Sequence, residues 1–188
     1  SKTIFWWRSI EYMKKILILF FLPFFMIVIL FASVSSSGTS NNASDMPDDG
    51  IQGDFDNYEP TGDSELGNKI VKSALSKRGC KYVWGAEGPD EFDCSGLVWW
   101  ACNENGVTFT RTTAQELSKM GTEVKLHELQ PGDIMTFKTD PTYVSHVGIF
   151  IGNGMMVHAP NERTVVRVDK VLTSEYWARA LYNIRRIY

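Results

Sequence analysis

The chain has 188 residues, a formal net charge of −3 at pH 7, and 44% hydrophobic residues. That suffices for one domain with a sizeable core plus appended segments. No basic stripe runs along it, which excludes an electrostatic nucleic-acid binder.

Residues 16–34 carry no charge and come directly after Lys14 and Lys15. About twenty apolar residues can span a bilayer as a helix, since a helix satisfies its own backbone groups. The same stretch, begun at Met13, has the basic, apolar and small-residue order of a signal peptide. Both readings stand, an anchor or a cleaved leader, and both export the rest of the chain. Residues 1–34 are therefore an N-terminal targeting segment and the expected membrane contact. Residues 35–65 read as a flexible acidic linker. They are rich in Ser, Gly and Asn, and carry eight acidic residues with no basic one. From residue 66 onward fifteen Lys and Arg face thirteen Asp and Glu, so the remaining domain, 66–188, is nearly neutral.

That domain opens with a helical pattern over 66–77, with Ile70, Val71, Ala74 and Leu75 on one face. An extended piece, 81–84, leads into a Gly- and Pro-containing loop, and Trp84 reads as a core ring. Asp93 is a good N-cap for a helix beginning at Cys94, with Leu97, Val98, Ala101 and Cys102 on one face and Asn105-Gly106 as its stop. A thiol in a first helical turn feels unpaired N–H groups and the positive dipole end, which favour thiolate. The alternative for Cys94 is a small buried residue. Cys80 and Cys102 are candidates for a disulfide, and no zinc-type spacing occurs.

Residues 110–121 read as a short helix, 129–133 as a turn and 134–137 as a strand. Then 144–151 and 155–159 alternate around Gly152-Asn153-Gly154, a hairpin signal. A three-residue loop would pair Ile149 with Val157 and Ile151 with Met155. Val147, Ile149, Ile151, Met155, Val157 and Ala159 then share one face, and His146 and His158 become diagonal neighbours on the other. A Cys with a His can exchange the proton that amide hydrolysis needs, and a second His can orient the first. His146 is assigned as base and His158 as orienter, though the spacing also allows the reverse. His127 reads as exposed. No fourth ligand is spaced to make the histidines a metal site, and no cofactor is expected. Tyr82 could donate to an oxyanion beside the Cys94 backbone N–H. Arg111 could hold a substrate carboxylate, or be a solvated surface residue.

These residues fall in runs with a familiar order: Lys81-Tyr82-Val83-Trp84-Gly85, FDCSGLVWW, RTTAQ, LQPGDIMTF and SHVGIFIGNGMMVHAP. The domain resembles the NlpC family of cell-wall cysteine endopeptidases over essentially all of 66–188. The resemblance implies an α+β, papain-like fold, with the nucleophile's helix packed on an antiparallel sheet of five or six strands. It implies catalytic roles for Cys94, His146 and His158, and a site lined by Tyr82, Asp93 and Ser95, the last two holding a stem peptide's free amine. The reaction it implies cuts peptidoglycan between γ-D-glutamyl and a diamino acid. Cys80 stands where Pro is common, and Ala86 where a second Gly is common. A different thiol reaction, by an amidase or acyltransferase, and a wall-peptide binding module are the rival readings.

Overall fold

The computed structural model describes residues 46, 47 and 50–188. The apolar segment 16–34 lies outside them. Among the described residues no helix is long and apolar enough to cross a membrane.

Helix α1, Glu65–Leu75, starts where Ser64 Oγ accepts from the Gly67 N–H at 3.1 Å, and it buries Ile70, Val71, Ala74 and Leu75. Two short strands, β1 (Lys81–Tyr82) and β2 (Glu91–Phe92), pair in parallel and bracket the loop ahead of the second helix. Helix α2, Cys94–Asn103, is capped by Asp93, whose Oδ1 accepts from the Gly96 N–H at 2.6 Å. A side chain at position 96 is impossible, since its Cβ would sit 2.1 Å from the Ala86 carbonyl oxygen. The helix start is thereby pressed against the loop that carries Trp84 and Gly85.

The helix expected over 110–121 contracts to α3, Ala114–Leu117. Thr113 caps it, with Oγ1 accepting from the Glu116 N–H at 3.3 Å, so Arg111 lies ahead of the helix and is free to reach Asp93. Six strands come next: β3 (Thr122–Glu123), β4 (Ile134–Phe137), β5 (His146–Gly152), β6 (Met155–His158), β7 (Arg167–Lys170) and β8 (Leu181–Arg186). Helix α4, Glu175–Ala180, precedes the last of them. The sheet is antiparallel throughout, in the order β3-β8-β4-β5-β6-β7.

Ile149 pairs with Val157 as expected, but a bulge between Phe150 and Gly152 sets Gly152, not Ile151, opposite Met155. The bulge absorbs one residue at the tip and leaves the faces intact, as an extra residue on one strand does. Val147, Ile149, Ile151, Val157 and Ala159 pack with the residues of α1 and α2. Phe150, Met156, Met135, Phe137 and Ile184 pack on the other side around Trp177 of α4. Strand β8 is held to the turn before β4 by a two-pronged ion pair. Arg186 Nε and Nη2 lie 2.7 and 2.8 Å from the oxygens of Asp133, which is fully buried.

The segment read as a flexible linker is not free of the domain from Gly50 onward. The Ile51 N–H donates to the Val168 carbonyl at 2.7 Å, Phe55 is buried, and the Tyr58 hydroxyl donates to the Ile151 carbonyl at 2.8 Å. Three large side chains anchor an otherwise polar run that composition alone marks as unable to bury surface.

Candidate active site

Cys94 enters the site in the first turn of α2, and its thiol lies close to the backbone N–H of Val147, at the start of β5. One cleft of about 400 Å³ is lined by Cys94, His146, Tyr82, Trp84, Tyr143 and Arg163. A second, of about 600 Å³, shares Cys94, Tyr82, Trp84 and Tyr143 and adds Asp93, Ser95 and Arg111. The thiol thus sits where two grooves meet. A larger cavity of about 910 Å³, lined by Gln130, Pro131 and Arg186, contains no cysteine, so size does not mark the chemistry.

His146 and His158 are both buried, and His146 Nε2 lies 2.9 Å from His158 Nδ1. Gly148 makes room for this pair, because a Cβ there would come within 3.2 Å of the His158 Cβ and 2.8 Å of the Met156 sulfur. Trp177 stacks on His146 at 5.4 Å between ring centroids and meets His158 edge-on at 5.3 Å. His127, by contrast, is exposed on the segment before β4 and lines a different cavity.

Electrostatics at the thiol run against the expectation drawn from the helix start. Burial pushes the Cys94 thiol up to about 12, and the Asp93 carboxylate adds to the shift. The Val147 and Ser95 N–H groups and Arg111 oppose it without prevailing. Desolvation outweighs the dipole because the charged form loses its water, while Asp93, the cap at the start of the helix, is itself an anion. Burial likewise holds His146 well below its usual 6.5, with His158 and Arg167 adding to the effect and Asp169 opposing it. Both shifts favour the uncharged forms, a thiol at Cys94 and a neutral imidazole at His146. Tyr82 is pushed above its ordinary range, chiefly by burial, so its hydroxyl keeps its proton.

Arg111 lines the second groove, yet its guanidinium is already engaged. Nη2 lies 2.7 Å from both Asp93 oxygens, Nη1 donates to Ser95 Oγ at 3.0 Å and to the Thr112 carbonyl, and Glu87 approaches Nε at 3.5 Å. The fork that could hold a substrate carboxylate holds the Asp93 carboxylate in this structure. Trp84 is corrected from core to surface. It is 77% exposed and walls both grooves, with Tyr143 at 48% exposed across the thiol's opening. The three cysteines are free. Cys102 is buried in α2, Cys80 lies ahead of β1, and no disulfide joins them in this structure.

Sequence reasoning missed two residues that touch the histidines, Trp177 and Asp169. Asp169 Oδ2 lies 3.1 Å from His158 Nε2. Neither sits in a motif, and both come from segments whose pattern is short and irregular.

A thiol at the start of a helix, packed on an antiparallel sheet whose strands carry the paired imidazoles, defines an α+β papain-like domain. The chain belongs to the NlpC/P60 family, whose model matches residues 79–186. It is 42% identical over 128 residues to a probable endopeptidase of Mycobacterium tuberculosis, covering 68% of this chain and 31% of that one. It is 35% identical over 143 residues to the bifunctional muramidase/DL-endopeptidase CwlT of Bacillus subtilis, covering 73% of this chain and 42% of CwlT. The chain therefore spans less than half the length of these relatives. Among solved structures, NlpC1 from Trichomonas vaginalis superposes with a TM-score of 0.60 at 34% identity, covering 72% of this chain and 48% of that one. The NlpC/P60 domain of the peptidoglycan hydrolase SagA gives 0.55 at 27% identity, covering 64% of this chain and 97% of that domain.

Proposed function

We propose that this protein is a cysteine endopeptidase that cuts peptidoglycan stem peptides at the bond between γ-D-glutamyl and a diamino acid. Cys94 is the nucleophile, His146 the base and His158 its orienter. The observation that carries the reading is the 2.9 Å contact between His146 Nε2 and His158 Nδ1, buried behind a cleft that opens on a thiol. With Nε2 engaged, His146 has Nδ1 left to serve Cys94.

In this mechanism the thiol gives its proton to His146 as sulfur attacks the γ-glutamyl carbonyl carbon. The Cys94 backbone N–H and the Tyr82 hydroxyl face the oxyanion, the latter protonated at any working pH. His146 then protonates the departing amine, the C–N bond breaks, and a thioester remains. Water, deprotonated by His146, hydrolyses it. Asp93 and Ser95 lie in the groove on the acyl side, where a carboxylate and a hydroxyl suit a free stem-peptide amine. The resting neutrality of the thiol suits a buried site, since charge then appears only as bond formation begins. Relatives named as endopeptidases support the reaction class. A peptidoglycan substrate and the charge-free run 16–34 both support a working enzyme outside the cytoplasm.

The test is digestion of defined muropeptides by the full chain, with mass spectrometry of products and Cys94→Ala beside it. Fragments split after γ-D-Glu, absent with the variant, are expected. Cleavage at another bond that still needs Cys94 would move the substrate assignment, and no cleavage with a demonstrably free thiol would overturn the enzyme reading.

A further inference from the structure

We propose that Asp169 is a positioning residue of this site, locking His158 in the one tautomer that lets His146 accept the thiol proton. The proposal rests on the Cys94–His146–His158 reading of the site and extends it by one residue.

Strand register brings Asp169 there. Arg167 pairs directly with His158 across β6 and β7, so Asp169, two residues on, occupies the diagonal position on the same face. Its side chain is 1% exposed, and that of His158 is fully buried. Oδ2 lies 3.1 Å from His158 Nε2, off the line of a well-directed hydrogen bond, and that nitrogen has no hydrogen-bond partner among the described residues. A buried ring N–H without an acceptor is costly, and a small ring rotation brings it onto the carboxylate.

Proton counting shows what the contact does. A neutral imidazole carries one proton on two nitrogens. For His146 to take a proton at Nδ1, its own proton must already be on Nε2. That N–H points at His158 Nδ1, which must then be a lone pair, so His158 carries its proton on Nε2. A carboxylate only accepts, so Asp169 beside Nε2 selects that tautomer. Remove the carboxylate and His158 is free to hold its proton on Nδ1. Then either two N–H groups face each other across 2.9 Å, or His146 is driven to Nδ1–H and cannot accept from the thiol.

The charges around Asp169 fit a positioning role. Arg167, on its own strand, lies 2.9 Å from Oδ1 through Nε and 3.1 Å from Oδ2 through Nη2, while also donating to the Pro47 carbonyl. His158 faces it from β6 and His146 acts on it from β5, while Trp177 of α4 covers the pair with an uncharged ring. Burial raises Asp169, but His158 and then the Arg167 cation outweigh it and hold the carboxyl below its ordinary range. It therefore orients the relay as a carboxylate and does not itself take up the proton. This is the part a carboxylate plays behind a catalytic histidine elsewhere, moved one imidazole further back.

The experiment combines nitrogen NMR of the histidines in the full chain with kinetics of Asp169→Asn, His158→Ala and the double variant on a defined muropeptide. In the unaltered protein His158 is expected to be protonated at Nε2 and bare at Nδ1. Protonation at Nδ1 would overturn the proposal, and this readout needs no variant to fold. Asp169→Asn is expected to lower kcat about 10- to 100-fold, a typical cost of losing a histidine-orienting partner, with KM little changed. The acid limb of kcat/KM should move to lower pH, because the carboxylate no longer favours the His146 cation. In the His158→Ala background the second substitution should cost nothing more. A folded Asp169→Asn enzyme with unaltered kcat and pH profile, or an additive double variant, would reduce Asp169 to a structural partner of Arg167. If His158→Ala itself keeps full kcat, the His–His relay fails and Asp169 loses its role with it. If no variant, Cys94→Ala included, changes the rate, the assignment of the nucleophile has failed instead.

Discussion

Asp93 does two things to Cys94 that work in opposite directions. Its carboxylate caps α2 and so fixes the thiol's position, while its charge makes the thiolate harder to form. Arg111 moderates the second effect by lying across both carboxylate oxygens. In Asp93→Asn the amide oxygen can still cap α2, since Asn and Asp cap helices about equally well. Alkylation of Cys94 by iodoacetamide at fixed pH should then run several-fold faster than in the unaltered protein, because a neighbouring anion is gone. Hydrolysis should fall if Asp93 also holds the substrate amine, so the two rates should move apart. Equal alkylation rates would show that Asp93 exerts no field at the sulfur. Gly148 is a second single-residue test. Gly148→Ala adds a methyl that meets the Met156 sulfur and the His158 Cβ. Overpacking of this kind costs about 1–3 kcal/mol. Activity should drop more than stability does, since the displaced group is half of the histidine pair.

At the scale of elements, α4 matters most because it looks least like a functional piece. Six residues between β7 and β8 bring Trp177 down onto His146 and His158, where it is 1% exposed and also packs on Phe137 at 4.8 Å. Trp177→Ala should cost about 3–5 kcal/mol by cavity formation. Trp177→Phe should recover most of the stability but less of kcat, as the smaller ring leaves His146 more freedom. Thermal melts beside kinetics would separate the two effects, and equal losses in both would show that the ring is only core. The elements differ in how legible they were. The start of α2, strand β4 and the β5–β6 hairpin were readable because capping, turn and alternation signals each fall within ten residues or so. The expected 110–121 helix came out as one turn because Arg111 makes a better partner for Asp93 outside it. Strand β7, helix α4 and strand β8 carry weaker patterns, since their residues face neighbours distant in sequence. Asp169 and Trp177 belong to that part of the chain.

For the whole molecule, stability should depend on pH in two separate windows. His146 is buried and held below its usual value, so the unfolded chain binds a proton near 6.5 that the native chain refuses. Stability therefore falls as pH drops below about 6.5, by up to roughly 1.4 kcal/mol per pH unit for that one proton. Asp169 behaves as a depressed carboxylate: burial raises it, but His158 and Arg167 prevail and hold it below 3.8. Its contribution is present above that value and lost as pH falls through the lower native value. Denaturant melts between pH 8 and 3 should show the first decline, and His146→Ala should abolish it. The described part of the acidic segment adds to the same fold. Phe55 is buried and Tyr58 bonds the β5 tip, so Phe55→Ala should cost about 3 kcal/mol. An unchanged melting temperature would mean that residues 50–64 merely rest on the domain.

The α+β class came with the family resemblance, while local sequence patterns determined the antiparallel hairpin, its faces and the helix that starts at Cys94. Each depends on residues close together along the chain, where periodicity, caps and turn chemistry operate. Tertiary structure decided the charge state of the thiol, the engagement of Arg111, the exposure of Trp84, the packing of Phe55 and Tyr58, and the arrival of Trp177 and Asp169 at the histidines. Those depend on desolvation and on which distant side chains share a pocket, and neither quantity exists until the strands have paired.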